Sequence, residues 1–428
     1  MKIAVMGAGW AGCAAAVEAT RRGHQVTLFE AARTVGGRAR KVEIEYQDQT
    51  LALDNGQHIL IGAYTETLKL MKAVGVDADA GLLRMPLTLQ FPDGDGLRLT
   101  NLPAPLDALL GILAARGWSW GEKLSLLKVA VGWRLANFEC APGLSVADIC
   151  KGLPPRIMAT FIEPLCVSAL NTLPDRSSGQ VFLRVLHDSL FSVSGGSNLL
   201  LPRIDLGALL PEAACQWLQA QGGKVHTGAR VQSIYRMPGG WQLQFDPANA
   251  TTSASGFDRL ILACPPLEAV RLVERTALPC EPWLALGRGL EHEAIATVYA
   301  MANGASLPLP MLALRSGINQ PAQFVFDRGQ LGGPAGLLAF VISASTGSSA
   351  EIAGQVRQQA AAQLGLHNIE VLQTIVEKRA TFACTPGLQR PGMVVAPGLL
   401  ACGDHVDGPY PATLEGAVRS GLQAAQEL

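Results

Sequence analysis

The 428-residue chain carries 34 Lys and Arg against 35 Asp and Glu, a formal charge of -1, with 16% charged and 49% apolar residues. That balance excludes intrinsic disorder, since apolar material for a core is ample, and it offers no basic excess for nucleic acid. At about 150 residues per domain, the length implies two or three domains, or two assembled from interleaved segments.

Residues 2–6 read as a short apolar strand that runs directly into Gly7-Ala8-Gly9-Trp10-Ala11-Gly12. An alanine-rich helix follows to about Arg22, with Gly23 as its stop, and residues 24–30 read as a second strand ending in Glu30. Each residue type has a physical task. Gly7 allows the tight turn, Gly9 lets the backbone approach a pyrophosphate, and Gly12 lets helix and strand pack closely. Glu30 stands 21 residues after Gly9, placed to accept from a ribose 2′-hydroxyl, which argues against a 2′-phosphate there. The pattern predicts a Rossmann-type dinucleotide site.

Gly36-Gly37-Arg38-Ala39-Arg40 follows closely, a glycine pair that lets the chain pass a cofactor beside arginines able to neutralise phosphate. The acid followed by Gly-Gly-Arg resembles the large flavoprotein family that includes amine oxidases and carotenoid desaturases. The resemblance implies that the dinucleotide is FAD, with Arg38 beside its diphosphate.

Residues 53–62 place a polar turn, Asp54 to His58, between apolar strand-like pieces. A helix is expected over 65–73 with Thr65 as its cap, then two strands within 82–99 around Pro92-Asp93-Gly94-Asp95-Gly96. From 104 to about 194 the spacing turns helical, with apolar faces over 106–115, 124–135 and 181–190. A helix at 206–221 leads to small strands at 224–227, 229–235 and 241–245, and 257–264 reads as an edge strand returning to the nucleotide sheet. Strands at 291–301, 323–327 and 336–343 and an amphipathic helix at 351–366 complete a second domain. The expected class is α/β, a Rossmann-type FAD-binding domain interleaved with an α+β substrate domain as in amine oxidases. Its FAD part comprises 1–80, 195–285 and 375–428; its substrate part, 81–194 and 286–374, includes a helical membrane-facing block.

Near the C-terminus an apolar strand ends in Gly403-Asp404, followed by Gly408-Pro409-Tyr410-Pro411 and a helix with small residues at its start. Asp404 is placed to bind ribityl hydroxyls or a phosphate-bound water, and the helix amides to meet the flavin. Three blocks, Asp54-Asn55-Gly56-Gln57-His58 with its flanks, Glu163-Pro164-Leu165 through Asn171-Thr172 and on through Asp188, and Pro411-Ala412-Thr413-Leu414-Glu415-Gly416, resemble the squalene-associated FAD-dependent desaturases, or hydroxysqualene dehydroxylases. One departure stands out: Ser197-Asn198 occupies the place where that family commonly has Ser-Asp, so no catalytic role is assigned there.

The resemblance implies reductive loss of hydroxyl from hydroxysqualene, giving squalene in a hopanoid pathway. It also implies cofactor contacts from Ala11, Val231, Leu414 and Glu415. An acid must assist departure of water; Asp188, Glu163 and Asp54 are the expected candidates, with Asn171 as an orienting donor and His58 as a contact to substrate or flavin. A C30 isoprenoid arrives from a membrane, so a cytoplasmic protein attached peripherally to the inner membrane is expected, through residues 106–135 with Trp118 and Trp120. The positive mean hydropathy agrees with that, while the longest uncharged run, 329–350, has five glycines and does not read as a span. Nine scattered cysteines without a CxxC pair suit a reducing compartment, and no metal-ligand spacing appears. The competing readings are a polyene desaturase or isomerase, an amine oxidase, disfavoured by the lack of an aromatic pair near the C-terminal motif, and a flavin-bound scaffold. The sequence does not indicate the electron donor.

Overall fold

The computed structural model describes residues 1–192, 194–246 and 253–428. Lys2–Met6 forms the heart of a six-stranded sheet because its apolar side chains are buried on both faces. The strand order is Lys224–His226, Gln25–Phe29, Lys2–Met6, Arg259–Leu262, Leu399–Ala401 and Val394–Ala396, all parallel except the last pair. The strand expected at the edge, Arg259–Leu262, is therefore interior, since Leu399–Ala401 pairs along its other side. Lys224–His226 likewise joins this sheet rather than the small strands that follow it. Those strands, Val231–Met237, Gly240–Phe245 and Ser253–Phe257, form a separate antiparallel sheet.

The first helix, Trp10–Arg21, packs against the last, Leu414–Gln426. Small residues permit the approach: a Cβ on Gly421 would stand 2.1 Å from the Ala11 carbonyl oxygen. The two termini of the chain thus share one core over the nucleotide sheet.

A second, antiparallel sheet has five strands in the order Met311–Ala313, Phe324–Asp327, Leu337–Ser343, His292–Met301 and Glu370–Phe382. Strand alternation divides its faces. Ala296, Val298, Leu338 and Phe340 pack with Ile352, Val356 and Ala360 of the helix Ser349–Leu364. Tyr299, Phe324, Phe326 and Val341 face the helical block instead. Glu370–Phe382 runs as one strand of this sheet, so the boundary expected at residue 375 falls inside it.

The helical block includes Leu106–Ala114, Trp120–Leu135, Glu163–Leu170 and Gly179–His187, the last continuing into a π-helical turn at Asp188–Ser192. Trp120–Leu135 starts earlier than its apolar spacing predicts because Ser119 and Glu122 close a capping box. The helix expected at 206–221 is broken into Leu206–Leu209 and Pro211–Ala220, since Pro211 has no amide hydrogen to continue it. Of the two strands expected within 82–99, Leu82–Met85 pairs elsewhere, with Leu199–Pro202, and the hairpin is Thr88–Gln90 with Gly96–Arg98. Among the described residues no helix is long and apolar enough to cross a membrane.

Candidate active site

A cavity of about 1050 Å³ runs from the glycine turn of the nucleotide sheet to the face of the five-stranded sheet. At its first end Gly7 has φ +113, and a Cβ there would stand 2.5 Å from the Ala263 carbonyl oxygen. A Cβ on Gly12 would stand 1.8 Å from the Gly7 oxygen, so Gly12 serves helix–strand packing beneath the cavity rather than lining it. Gly9 is different. It has an ordinary φ of -76, and its Cβ would meet only the second glycine segment, with the Gly37 Cα nearest at 3.9 Å. The protein itself leaves room above Gly9; that room suits the close approach of a pyrophosphate.

The second glycine segment closes on the first: Gly36 donates to the Ala8 carbonyl at 2.8 Å and bridges Gly9. The Glu30 carboxylate accepts from the Ala8 amide at 2.7 Å and the Ala32 amide at 2.8 Å, one to each oxygen. Each oxygen keeps a lone pair for a further hydroxyl donor, and Glu30 lines the cavity with Val231 nearby. This end can hold a dinucleotide.

Arg38 and Asp404 come together from opposite ends of the chain. The guanidinium pairs with the Asp404 carboxylate and donates to the Ala380 carbonyl at 2.6 Å. Burial alone works to raise the Asp404 pKa, but Arg38 and His405 outweigh it and hold the carboxyl well below the usual range. Arg38 lines the cavity, held there by these protein partners. Ala412, Thr413 and Leu414 also border the cavity, Thr413 capping the last helix by accepting from the Gly416 amide at 2.9 Å.

The far end of the cavity is bordered largely by apolar side chains. Val167 and Ala169 come from the helical block; Ile295, Phe324, Phe326, Val341 and Ile375 come from the sheet. His58 lines the cavity, with Nδ1 2.8 Å from the Gly56 carbonyl oxygen. Since that oxygen only accepts, Nδ1 carries the proton and Nε2 is an acceptor. Burial, aided by Arg38, lowers the His58 pKa, although the Gly56 bond opposes this. Asn171 also borders the cavity, yet its side chain is occupied: Nδ2 donates to the Thr381 hydroxyl at 2.9 Å and Oδ1 accepts from the Ala344 amide at 2.8 Å. It fastens the end of Glu163–Leu170 to the sheet.

The three expected acids stand outside the cavity lining. Glu163 opens its helix half-buried, and burial raises its pKa. Asp188 lies 2.8 Å from His187 Nδ1 and 4.0 Å from Arg184. Glu415 lies outside too. Its buried carboxylate accepts from the Glu66 and Thr67 amides and pairs with Arg419 at 2.7 Å. It therefore caps the helix Thr65–Ala73, the role expected of Thr65, which is instead the first helical residue.

Asp54 is buried at the end of the strand Gln49–Asp54, which pairs with Lys41–Tyr46, accepting from the Leu206 amide at 2.8 Å while its carbonyl accepts from the Tyr299 hydroxyl at 3.0 Å. Desolvation pushes its pKa up to about 6 despite that amide and Arg328. A raised carboxyl pKa means the folded state holds a proton that the unfolded state has released, so stability falls as pH rises from about 4 to about 6. Asp54→Asn should remove that slope, on the order of 2–3 kcal/mol. Thermal melts of both proteins at pH 4, 5 and 7 check it; parallel curves would contradict the assignment.

Sequence reasoning missed an acid that lines the cavity from the five-stranded sheet, Glu377. Within Glu377-Lys378-Arg379 it reads as part of a solvated charge run, and only strand pairing turns it inward.

The family described as flavin containing amine oxidoreductase matches residues 10–428, and the chain belongs to it. A hydroxysqualene dehydroxylase of Rhodopseudomonas palustris is 29% identical over 98% of this chain and 96% of its own length. A 15-cis-phytoene desaturase of Glycine max is 28% identical over 55% of this chain and 42% of that protein. An oxidoreductase structure from Methanosarcina mazei superposes with a TM-score of 0.75 at 19% identity, covering 100% of both chains, and shares the fold.

Proposed function

We propose that the chain is an FAD-dependent enzyme that converts hydroxysqualene to squalene by reductive loss of the hydroxyl group. The observation that carries this reading is one cavity joining a dinucleotide slot to an apolar compartment, in a chain similar end to end to hydroxysqualene dehydroxylases. The partial match to a desaturase supports a long isoprenoid substrate in general, and the full-length match favours dehydroxylation.

The Gly7–Gly12 turn and Gly36-Gly37 would hold the diphosphate, Glu30 the ribose, and the Asp404 and Leu414 region the flavin side. Bound, reduced FAD supplies a hydride equivalent. Val167, Ile295, Phe324 and Phe326 exclude water from the reacting carbon, so an allylic cation left by departing water is protected from recapture. Anaerobic turnover tests the reading: prereduced protein mixed with hydroxysqualene should release squalene as oxidised flavin returns in equal amount. Flavin that stays reduced over unchanged substrate would overturn it.

The substrate's membrane origin matches an exposed stripe. Trp120, Leu124, Val131 and Leu135 recur at helical spacing with 67%, 60%, 56% and 81% of their surface exposed. Leu106, Leu109 and Leu110 extend it, and Lys123 sits 4.9 Å over the Trp120 ring. Of the tryptophan pair only Trp120 can face a bilayer; Trp118 is buried, its indole donating to the Thr160 hydroxyl at 3.0 Å. The reading places the protein on the cytoplasmic surface of the inner membrane. Leu124→Asp with Leu135→Asp should lower sedimentation with anionic liposomes by roughly tenfold or more, leaving the melting temperature unchanged. Undiminished binding would place the contact elsewhere.

A further inference from the structure

We propose, resting on the dehydroxylation reading, that Glu377 is the acid that protonates the departing hydroxyl. Four carboxylates line the cavity among the described residues: Glu30, Glu268, Glu377 and Asp404. Three are occupied. Glu30 takes two backbone amides at the nucleotide end, Glu268 is clasped by Arg271 at 2.7 and 3.0 Å, and Asp404 pairs with Arg38. Glu377 takes hydrogen bonds from neutral donors, the Asn55 amide at 3.2 Å and the Arg379 backbone at 3.4 Å. Of the cations nearby, Arg38 is taken up by Asp404 and the Ala380 carbonyl, while Lys378 and Arg379, which also border the cavity, are solvent-exposed.

The strand also aims it. Glu377 pairs in register with Ile295, and both line the cavity, as does Ile375 two residues before it. Directly beyond Glu377 the ladder is irregular: Glu293 pairs with Thr381 and Ile295 with Glu377, so residues 378–380 bulge against a single partner residue. Bulges recur beside active sites because they re-aim side chains. Of the polar groups that share the lining, His58 presents an acceptor nitrogen, since its Nδ1 proton is committed to Gly56, and Asn171 is held by Thr381 and Ala344.

The Glu377 proton moves to the hydroxyl oxygen, the allylic C–O bond breaks with both electrons leaving on water, and the hydride supplied by reduced flavin forms the new C–H bond. Substrate is reduced, flavin oxidised, and Glu377 left ionised until water returns a proton.

The test compares wild type, Glu377→Gln and Glu377→Asp on hydroxysqualene and on its acetate ester, whose leaving group departs without a proton. Glu377→Gln should lose about 10²- to 10⁴-fold in kcat on the alcohol, with KM within about threefold and flavin content and spectrum unchanged. On the ester it should come within about tenfold of wild type, and Glu377→Asp should retain part of the activity on the alcohol. Near-normal turnover of the alcohol by Glu377→Gln, or an equal deficit on the ester, overturns the assignment. A wild type that returns both compounds unchanged while its flavin stays reduced overturns the dehydroxylation reading, and the role of Glu377 with it.

Discussion

Gly9→Val should fold but purify without flavin, whereas Gly12→Val should fail to fold. The two glycines are three residues apart in one motif, yet their surroundings demand opposite outcomes. At Gly9 the backbone is one that any residue adopts, and a Cβ comes no closer than 3.9 Å to its nearest neighbour, the Gly37 Cα. A Cβ is thus accommodated by the protein itself, so what a side chain here chiefly displaces is the ligand. At Gly12 a Cβ would lie 1.8 Å from the Gly7 oxygen and 3.1 Å from the Ala263 Cβ, both fixed beside the central sheet. The helix must move off the sheet, at a cost above about 4 kcal/mol, out of about 5–15 kcal/mol for a whole domain. The ratio of flavin to protein absorbance and the melting temperature with and without added FAD measure this. Wild type should gain stability from FAD and Gly9→Val should not. A Gly9→Val protein with full flavin content would show that the slot above the turn holds something else.

Arg38→Met should be the most damaging single change outside the glycine turn. It takes the guanidinium from the buried Asp404 carboxylate, leaving His405 beside it, and leaves the Ala380 carbonyl without its donor. Breaking a buried pair by removing one partner costs about 3–5 kcal/mol, and the partial exposure of Arg38 places this case near about 3. Asp404→Asn added to Arg38→Met should recover much of the loss, because no charge then remains unpaired. The pH dependence has a definite sign. A carboxyl held below its ordinary pKa contributes stability above about pH 4, lost only as pH falls towards the folded value. The gap in melting temperature between wild type and Arg38→Met should therefore be wide at pH 7 and narrow below about pH 4. A gap independent of pH would mean that Arg38 acts through packing alone.

Local chemistry makes the nucleotide end of this protein legible in its amino-acid order. Gly7, Gly9, Gly12 and Glu30 lie within one strand, turn, helix and strand, so their spacing along the chain is nearly their spacing in space. The same holds for Gly36-Gly37 and for the apolar strand that ends at Gly403-Asp404. The helices of the middle block are also readable, because their apolar periodicity is a property of each segment alone.

Where distant segments meet is not written in any one of them. Asp54, Glu163 and Asp188 have the right chemical character for an acid, but folding turns Asp54 towards Leu206 and Tyr299 and Asp188 towards His187. Glu377, undistinguished in its charged run, borders the cavity because Glu370–Phe382 pairs with His292–Met301 and breaks register there. Glu415, expected at the cofactor, caps a helix 348 residues away in sequence instead. By itself the sequence determined the dinucleotide turn, the glycine pair behind it and the class of fold, since each depends on neighbouring residues and local backbone geometry. The lining of the substrate compartment and the partners of its buried carboxylates were decided only by the tertiary structure, because burial and pairing depend on segments hundreds of residues apart.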